Sequence, residues 1–311
     1  MPPLPPVRLV LDSIQQTTLP AAGGAALVLA LFLVFGRWAG ALGSAAAVIA
    51  GFCWANYTFT TLSWDETGRV LPWKLEGTHS PAWHGLPRAA VVLIVVGLVS
   101  RWLGLIVARY QPEHRWWGSR LLTWAPRAAG VAVVSGWLVP SQFVESLWVW
   151  PALAAAMLLS WIAFDGLARG GAGGQVAVCL AAVFFAAGVV LIHAHSARFM
   201  DIAVILGCSM AGVAVVAGAA KADTSGAIPA GVGVLPGLML SGRAVLDSNV
   251  PLASFWLVGL TPLVLLPFLH PAVARQNRWL ILISRVLLIL IPLAIAVLLA
   301  AQNEQLAFDE E

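Results

Sequence analysis

Apolar residues gather along this chain in long blocks that are separated by short polar connections. A helix needs about 20 apolar residues to cross the hydrocarbon core of a bilayer, so each block predicts a membrane-spanning helix. The pattern predicts an all-α fold: a polytopic integral membrane helix bundle of about ten transmembrane helices, or of nine plus a re-entrant segment. The predicted spans are 19–36, 38–57, 88–110, 126–144, 147–167, 175–193, 199–220, 227–242, 252–270 and 279–301.

Residues 227–242 form the least regular of these blocks, with two prolines and four glycines in 16 residues. The segment is apolar, but at about 1.5 Å per residue it is barely long enough to span as a helix. It is either a kinked, closely packed helix or a broken, re-entrant segment. Interrupted segments build substrate sites in transporters, because their freed backbone groups can bind ions or substrates. The residues of this candidate broken-helix site are Pro229, Gly231, Gly233, Pro236 and Gly237.

The composition excludes a water-soluble protein. Hydrophobic residues make up 60% of the 311 residues, charged residues 10%, and the mean hydropathy is +0.89. A soluble domain carries roughly 25% charged residues, which this chain lacks. The expected organisation is a Pro-rich segment at 1–18, one transmembrane domain at 19–301 with a polar loop at 58–87, and an acidic tail at 302–311.

The charges predict an orientation. Lys and Arg total 17 against 14 Asp and Glu, and they are scattered singly, which indicates no nucleic-acid partner. With ten spans, nine loop cations fall on one side and six on the other. Cytoplasmic loops carry the excess of Lys and Arg, so both termini are expected on the non-cytoplasmic side of a bacterial cytoplasmic membrane. If residues 227–242 do not cross the membrane, each later loop and the C-terminus lie on the opposite side of the membrane from the one predicted here.

Three of the charged residues in the predicted spans are candidates for a functional role, because a charge inside a membrane is expensive and therefore informative. They are Arg101, Asp165 and Arg285. We expect an Arg101–Asp165 pair with Arg285 nearby, as an intramembrane polar cluster. Such a cluster could hold an anionic substrate or headgroup, because the arginine fork matches carboxylate and phosphate. The alternative is a structural ion pair, or an arginine that extends to the interface.

The polar loop contains Glu76, His79 and His84, a carboxylate and two imidazoles that could converge for acid–base chemistry or a metal. Their spacing matches no strong signature, and a solvated loop anchored by tryptophans is the alternative. The chain has no nucleotide-binding or CxxC motif, and its three cysteines lie in apolar segments, so we expect no cofactor and no metal.

Three function classes remain open, with the lipid bilayer as the expected surroundings. A small-molecule transporter or permease should show an aqueous cavity that reaches mid-membrane near Arg101 or Pro236. A non-catalytic subunit or scaffold of a larger complex should show a solid bundle and a surface for a partner membrane protein. A lipid-modifying enzyme, the least favoured class, should bring Glu76, His79 and His84 around one pocket.

Overall fold

The computed structural model describes residues 18–36, 39–59, 85–110, 118–139, 148–168, 172–194, 196–245, 250–270, 273 and 278–309. Within these ranges the chain forms ten helices and no strand, which confirms the predicted all-α class. The helices are α1 Leu19–Val34, α2 Gly40–Phe59, α3 Gly85–Tyr110, α4 Gly118–Leu138, α5 Val149–Leu167, α6 Gly173–His193, α7 Ala197–Ala220, α8 Ile228–Val245, α9 Leu252–Leu260 and α10 Arg278–Asp309.

Most of the described helices have the apolar composition of membrane spans. Six segments of the described chain are long and apolar enough to cross a bilayer, and two shorter apolar helices precede them. Large apolar side chains cover the outside of the bundle, and Leu280, Ile283 and Leu298 of α10 are each more than half exposed. These features are those of a multi-pass membrane protein. The six segments are Gly85–Val107, Val149–Leu167, Gly173–His193, Phe199–Ala220, Leu252–Leu269 and Leu280–Gln302.

The fourth predicted span begins at the wrong residue. The predicted span is 126–144, with Pro126 as its first residue. In the structure α4 begins at Gly118 and continues through Pro126. An internal proline removes one backbone hydrogen bond, a loss that helix packing in a membrane protein can compensate. At the other end of the chain, α10 continues past the predicted limit of 301 to Asp309.

The ninth span changes helix type halfway. Its first part is α9, and its second part, Thr261–Leu269, is a 3-10 helix. Pro262 and Pro267 lie in that second part and supply no backbone N–H to an α-helical ladder. At the junction the Thr261 hydroxyl donates to the carbonyl oxygen of Leu257 at 2.5 Å.

The close contacts between helices fix their directions. Leu86 of α3 faces Gly237 of α8 and Leu93 faces Gly233, so these two helices are antiparallel. Helices that follow one another in the chain are antiparallel in the same way, so the direction of the chain alternates from one helix to the next. We call end A the end that holds the first residues of α1, α3, α5, α7 and α9. End B is the opposite end, where α2, α4, α6, α8 and α10 begin.

Helix α8 is the central element of the bundle. It contacts α2, α3, α4, α5, α6, α7 and α9, and residues 227–239 are all buried. Of the two forms predicted for the Gly- and Pro-rich segment, the broken one is not observed: Ile228–Val245 is one helix. Its 18 residues correspond to about 27 Å, close to the thickness of the hydrocarbon core.

Candidate functional site

Arg101 forms an ion pair near end B, but its partner is Asp223 and not Asp165, as the sequence predicted. The Nη1 atom of Arg101 lies 2.6 Å from Oδ2 of Asp223, and the two side chains are 30% and 25% exposed. The same Nη1 donates a hydrogen bond to the Ser225 hydroxyl. The predicted pair is wrong because the connection from α7 to α8, which looks like a solvated turn in the sequence, folds against α3.

Asp165 pairs with Arg127, the second residue of the predicted span 126–144, which the orientation count treats as a loop cation. The Nη1 atom of Arg127 lies 2.7 Å from Oδ2 of Asp165, and both side chains are 2% exposed. The Nε atom of Arg127 donates to the Ser100 hydroxyl at 2.9 Å. This group therefore joins α3, α4 and α5 through charged hydrogen bonds inside the bundle, where an uncompensated charge is costly.

Two tryptophans enclose the guanidinium of Arg127. Its Cζ atom lies 4.6 Å from the ring centroid of Trp124 and 5.0 Å from that of Trp161. The Trp161 side chain is completely buried. An arginine over an aromatic face gains a cation–π attraction that strengthens when water is excluded. Arg127 is thus fixed by a carboxylate, a hydroxyl and two rings.

The two ion pairs come together at α3. Arg101 is a member of one pair, and the adjacent residue, Ser100, accepts a hydrogen bond from Arg127 of the other pair. The predicted residues Arg101 and Asp165 therefore do lie in one region, in separate pairs. We call this region the end-B polar layer. It consists of Ser100, Arg101, Arg127, Asp165, Asp223 and Ser225.

Arg285 makes its contacts away from these pairs. Its Nη1 atom donates to Oε1 of Gln175, at the start of α6, at 3.0 Å. Its Cζ atom lies 5.3 Å from the ring centroid of Phe268. The prediction that Arg285 joins Arg101 and Asp165 is wrong, because α10 packs on α6 and α9 rather than on α3.

The connection between α7 and α8, residues 221–227, packs on α2, α3 and α6 at end B. Lys221 has a left-handed backbone (φ 52°) that ends α7 and turns the chain back toward the bundle. The Thr224 hydroxyl then donates to the Gly173 carbonyl at 3.0 Å, and Thr224 and Ser225 are buried. Because Asp223 and Ser225 bind Arg101, we call the group Arg101–Asp223–Ser225 the latch.

The latch carboxylate is held in its charged form. Partial burial raises the pKa of Asp223, but the backbone N–H of Ser225 and the charge of Arg101 outweigh that effect and lower it. The Ser225 N–H donates to Oδ1 of Asp223 at 2.8 Å. Hydrogen bonds and a cation that favour the carboxylate keep the ion pair intact at neutral pH.

The predicted broken-helix residues are packing positions of α8. The missing side chains of its glycines leave notches that neighbouring helices fill: Leu180 enters at Gly231, Leu93 at Gly233 and Leu138 at Gly237. A Cβ on Gly97 of α3 would lie 2.8 Å from Cγ of Pro229. Small residues allow this close approach of helices.

Pro236 has a second environment, because it lines a cavity of about 300 Å³ between α5, α8 and α9. The cavity extends from the end-A part of these helices to the middle of α8. Its walls are apolar apart from one cation, Arg243. The walls include Leu153 and Ala156 of α5, Pro236 and Met239 of α8, and Phe255 and Trp256 of α9.

The candidate loop residues Glu76, His79 and His84 lie outside the described residues. Among the residues that are described, no group of three or more His, Cys, Asp or Glu side chains could hold a metal ion. The enzymatic hypothesis for the polar loop therefore stays a prediction.

No known protein family matches this chain, and no curated protein matches it either. The site is therefore interpreted from its geometry alone.

The sequence missed Arg127 and Asp223, the two partners that complete the ion pairs. A signal was present for Arg127, because it lies within the predicted span 126–144. Asp223 gave no comparable signal, since Lys221–Ser225 reads as an ordinary polar turn. Only the packing of that turn against α3 makes it part of the site.

Proposed function

We propose that this chain is a membrane transport protein for a small molecule, with its substrate site in the cavity between α5, α8 and α9. The observation that carries the proposal is the position of this cavity. It reaches from end A to Pro236, in the middle of the central helix. A cavity of about 300 Å³ lies at the lower end of the volumes of small-molecule sites.

The end-B polar layer supports the proposal from the other direction. Charges inside a membrane protein are expensive and usually mark a functional path. The two ion pairs of the end-B polar layer lie at the end opposite the cavity. The two pairs differ in burial: Arg127 and Asp165 are each 2% exposed, whereas Arg101 and Asp223 are 30% and 25% exposed.

Because the two ion pairs differ in burial, we assign them separate roles. A partly exposed pair contributes about 0–1 kcal/mol, so the latch can open at small cost. The buried Arg127–Asp165 pair instead holds α3, α4 and α5 together as one unit. In the proposed cycle the latch opens, and α8 bends at Pro236, where proline removes a backbone hydrogen bond.

The orientation follows from the loop cations. By the sequence count the end-B side carries nine Lys and Arg, or eight without the buried Arg127, and the end-A side carries six, which supports placing end B in the cytoplasm. The latch would then close the cytoplasmic end, and the cavity would open toward the opposite face.

A second candidate function is a non-catalytic subunit of a larger complex. The filled notches of α8 favour it, because a solid packed centre is what a scaffold requires. The two functions differ in one measurable property: a transporter must change the access to its two ends in a coupled way, whereas a scaffold has no such requirement.

The test is thiol labelling from either side of the membrane, in a background where Cys53, Cys179 and Cys208 are replaced by serine or alanine. Met239→Cys reports on the cavity and Ser225→Cys on the space under the latch. A charged, membrane-impermeant methanethiosulfonate is the probe. Lys221→Cys, exposed at end B, is the control that should react in every background.

If the protein transports a substrate, the thiol labelling of the two positions should change in opposite directions. With the Arg101–Asp223 ion pair intact, Met239→Cys should react and Ser225→Cys should be protected. Adding Arg101→Gln should raise labelling at Ser225→Cys and lower it at Met239→Cys. If Ser225→Cys gains reactivity while Met239→Cys is unchanged, the two ends are not coupled and the transport proposal fails.

A further inference from the structure

Arg285 is a cation on the outside of the bundle, and no carboxylate of the described residues pairs with it. Its Nη1 atom donates to Oε1 of Gln175 on α6 at 3.0 Å, in a hydrogen bond that is exposed at the surface. Its Nε atom is buried without a hydrogen-bond partner, and its Cζ atom lies 5.3 Å from the ring centroid of Phe268. A guanidinium has five N–H donors and a permanent charge, so one neutral amide oxygen and one ring leave most of its binding capacity unused.

The guanidinium of Arg285 lies close to end B. Helices α6 and α10 both begin at end B, and Gln175 is the third residue of α6. Arg285 is seven residues from Arg278, the first residue of α10, a distance of about 10 Å along the helix. Helical side chains are tilted toward the N-terminus, so the long side chain of Arg285 extends back toward end B and reaches the first turn of α6. This is the depth at which the headgroups of one leaflet meet the hydrocarbon.

We propose that Arg285 and Gln175 hold the headgroup of one anionic phospholipid from the leaflet at end B. The phosphate oxygens accept charge-assisted hydrogen bonds from the guanidinium, whose fork matches a phosphate. The amide nitrogen of Gln175 supplies further donors, because its Oε1 already accepts from Arg285. The inference is independent of the transport proposal, since this site lies between α6 and α10 and the cavity lies between α5, α8 and α9.

Exposed apolar side chains lie beside both polar residues, toward the middle of the membrane. On α6, Val178 is one turn beyond Gln175 and is 56% exposed. On α10, Leu288 is one turn beyond Arg285 and is 42% exposed. Residues three apart share one face of a helix, so polar and apolar groups follow each other in the same order on both helices. A phospholipid has that order too, a headgroup followed by acyl chains, whereas a soluble phosphate matches only the polar part.

The charge at this site favours an anionic lipid over a zwitterionic one. Phosphatidylcholine carries a cation next to its phosphate, and among the described residues no carboxylate contacts Arg285 or Gln175 to balance that cation. A lipid with a net negative charge neutralises Arg285 and introduces no new cation. Because an uncompensated charge at membrane depth is costly, the anionic lipid should be preferred.

The experiment titrates the full chain, in an uncharged detergent, with phosphatidylglycerol or phosphatidylcholine of identical acyl chains, and native mass spectrometry gives the affinity of the first lipid bound. Wild-type protein should bind phosphatidylglycerol more tightly than phosphatidylcholine. Arg285→Gln should weaken phosphatidylglycerol binding about fivefold, the effect of one cation near a membrane surface, and leave phosphatidylcholine binding unchanged. Arg109→Gln is the control, because Arg109 is an exposed cation of α3 at the same end. If Arg285→Gln binds like the wild type, or Arg109→Gln loses as much, the site is rejected.

Gln175→Glu tests the same contact without removing the arginine. Its carboxylate lies within hydrogen-bond distance of Arg285 and replaces the lipid phosphate as the counter-ion. This variant should lose the preference for phosphatidylglycerol, and in phosphatidylcholine alone it should unfold at a higher temperature than the wild type. Gln175→Ala adds no charge and should keep most of the preference. A preference that is retained in Gln175→Glu, or lost equally in Gln175→Ala, would contradict the assignment of the guanidinium as the lipid contact.

Inorganic phosphate distinguishes a lipid site from a site for a soluble anion. Phosphate in large excess should displace no more phosphatidylglycerol than sodium chloride does at the same ionic strength, because it has no acyl chains to lie along Val178 and Leu288. Specific displacement by phosphate would show that the site takes a soluble anion, and it would overturn the proposal of a lipid.

Discussion

The Nη1 atom of Arg127 lies 2.7 Å from the Oδ2 atom of Asp165, and 2% of each side chain is exposed. Arg127 is on α4 and Asp165 on α5, 38 residues apart, so the pair connects two helices in the interior. Neither charge can be hydrated when the other is removed. This relationship makes the pair a structural requirement of the bundle, in contrast to the latch at the same end.

Removing one member of this pair should destabilise the protein strongly. Arg127→Gln or Asp165→Asn leaves a buried group without its charged partner, and such changes cost about 3–5 kcal/mol. The measurement is unfolding in a mild detergent, with Arg109→Gln as the control because Arg109 is exposed. The double variant Arg127→Met/Asp165→Leu should recover part of the loss. Single variants as stable as the control would show that the pair contributes nothing.

Breaking the latch should have a much smaller effect on stability, and one that depends on pH only in acid. Asp223→Asn should cost about 0.5–1 kcal/mol, because the pair is partly exposed and screened. The native pKa of Asp223 lies below its ordinary value of 3.8. A lowered native pKa gives a contribution that is complete above the ordinary value and is lost as the pH falls through the lowered one.

The check on this prediction is the difference in Tm between wild type and Asp223→Asn at several pH values. The difference should be the same at pH 7 and pH 5, and it should shrink only below about pH 3.8. A difference that disappears between pH 7 and pH 5, or that grows on acidification, would contradict the assignment of the Arg101–Asp223 pair.

Two glycines of α7 should respond in opposite ways to alanine. A Cβ on Gly212 would overlap the backbone carbonyl oxygen of Ala22, which cannot move aside as a flexible side chain can. A Cβ on Gly218 meets nothing within 4 Å. Gly212→Ala should therefore lose about 1–3 kcal/mol by overpacking. Gly218→Ala should be neutral or more stable by up to about 1 kcal/mol, because alanine is the better helix former.

Thermal unfolding of these two variants measures how closely α7 packs on α1. Both substitutions are glycine to alanine on one helix, and both variants are measured in the same detergent. The detergent and the change in helix propensity therefore affect the two unfolding temperatures equally. Similar stabilities of the two variants would show that α1 and α7 do not approach each other at Gly212.

Pro236 should limit the stability of α8 and permit its bending. Pro236→Ala restores the N–H that can bond to the carbonyl of Val232, and the gain can reach about 3 kcal/mol. The variant should unfold at a higher temperature and lose the reciprocal labelling of Met239→Cys and Ser225→Cys. If Pro236→Ala raises Tm and leaves the labelling intact, Pro236 is not the hinge of the proposed cycle.

The elements of the fold could be predicted from the chain because each depends on local composition. The all-α class and most helix bounds follow from apolar blocks of spanning length, as for 175–193 against the observed Gly173–His193. Helix α4 was misplaced for a local reason too, because Pro126 has the properties of a helix start as well as those of an internal kink. The site could not be predicted in the same way, since Arg101 and Asp223 are 122 residues apart in the sequence.

The amino-acid sequence is enough to establish a membrane-embedded helix bundle with charges inside its spans. Hydrophobicity and helix length are properties of single segments, so they can be read without knowledge of the neighbours. The tertiary structure alone decided which charges pair, that the Gly- and Pro-rich segment is a continuous central helix, and where an apolar cavity remains. Arg101, Arg127 and Arg285 have the same chemistry, and only the helices packed around each give them Asp223, Asp165 and Gln175 as partners.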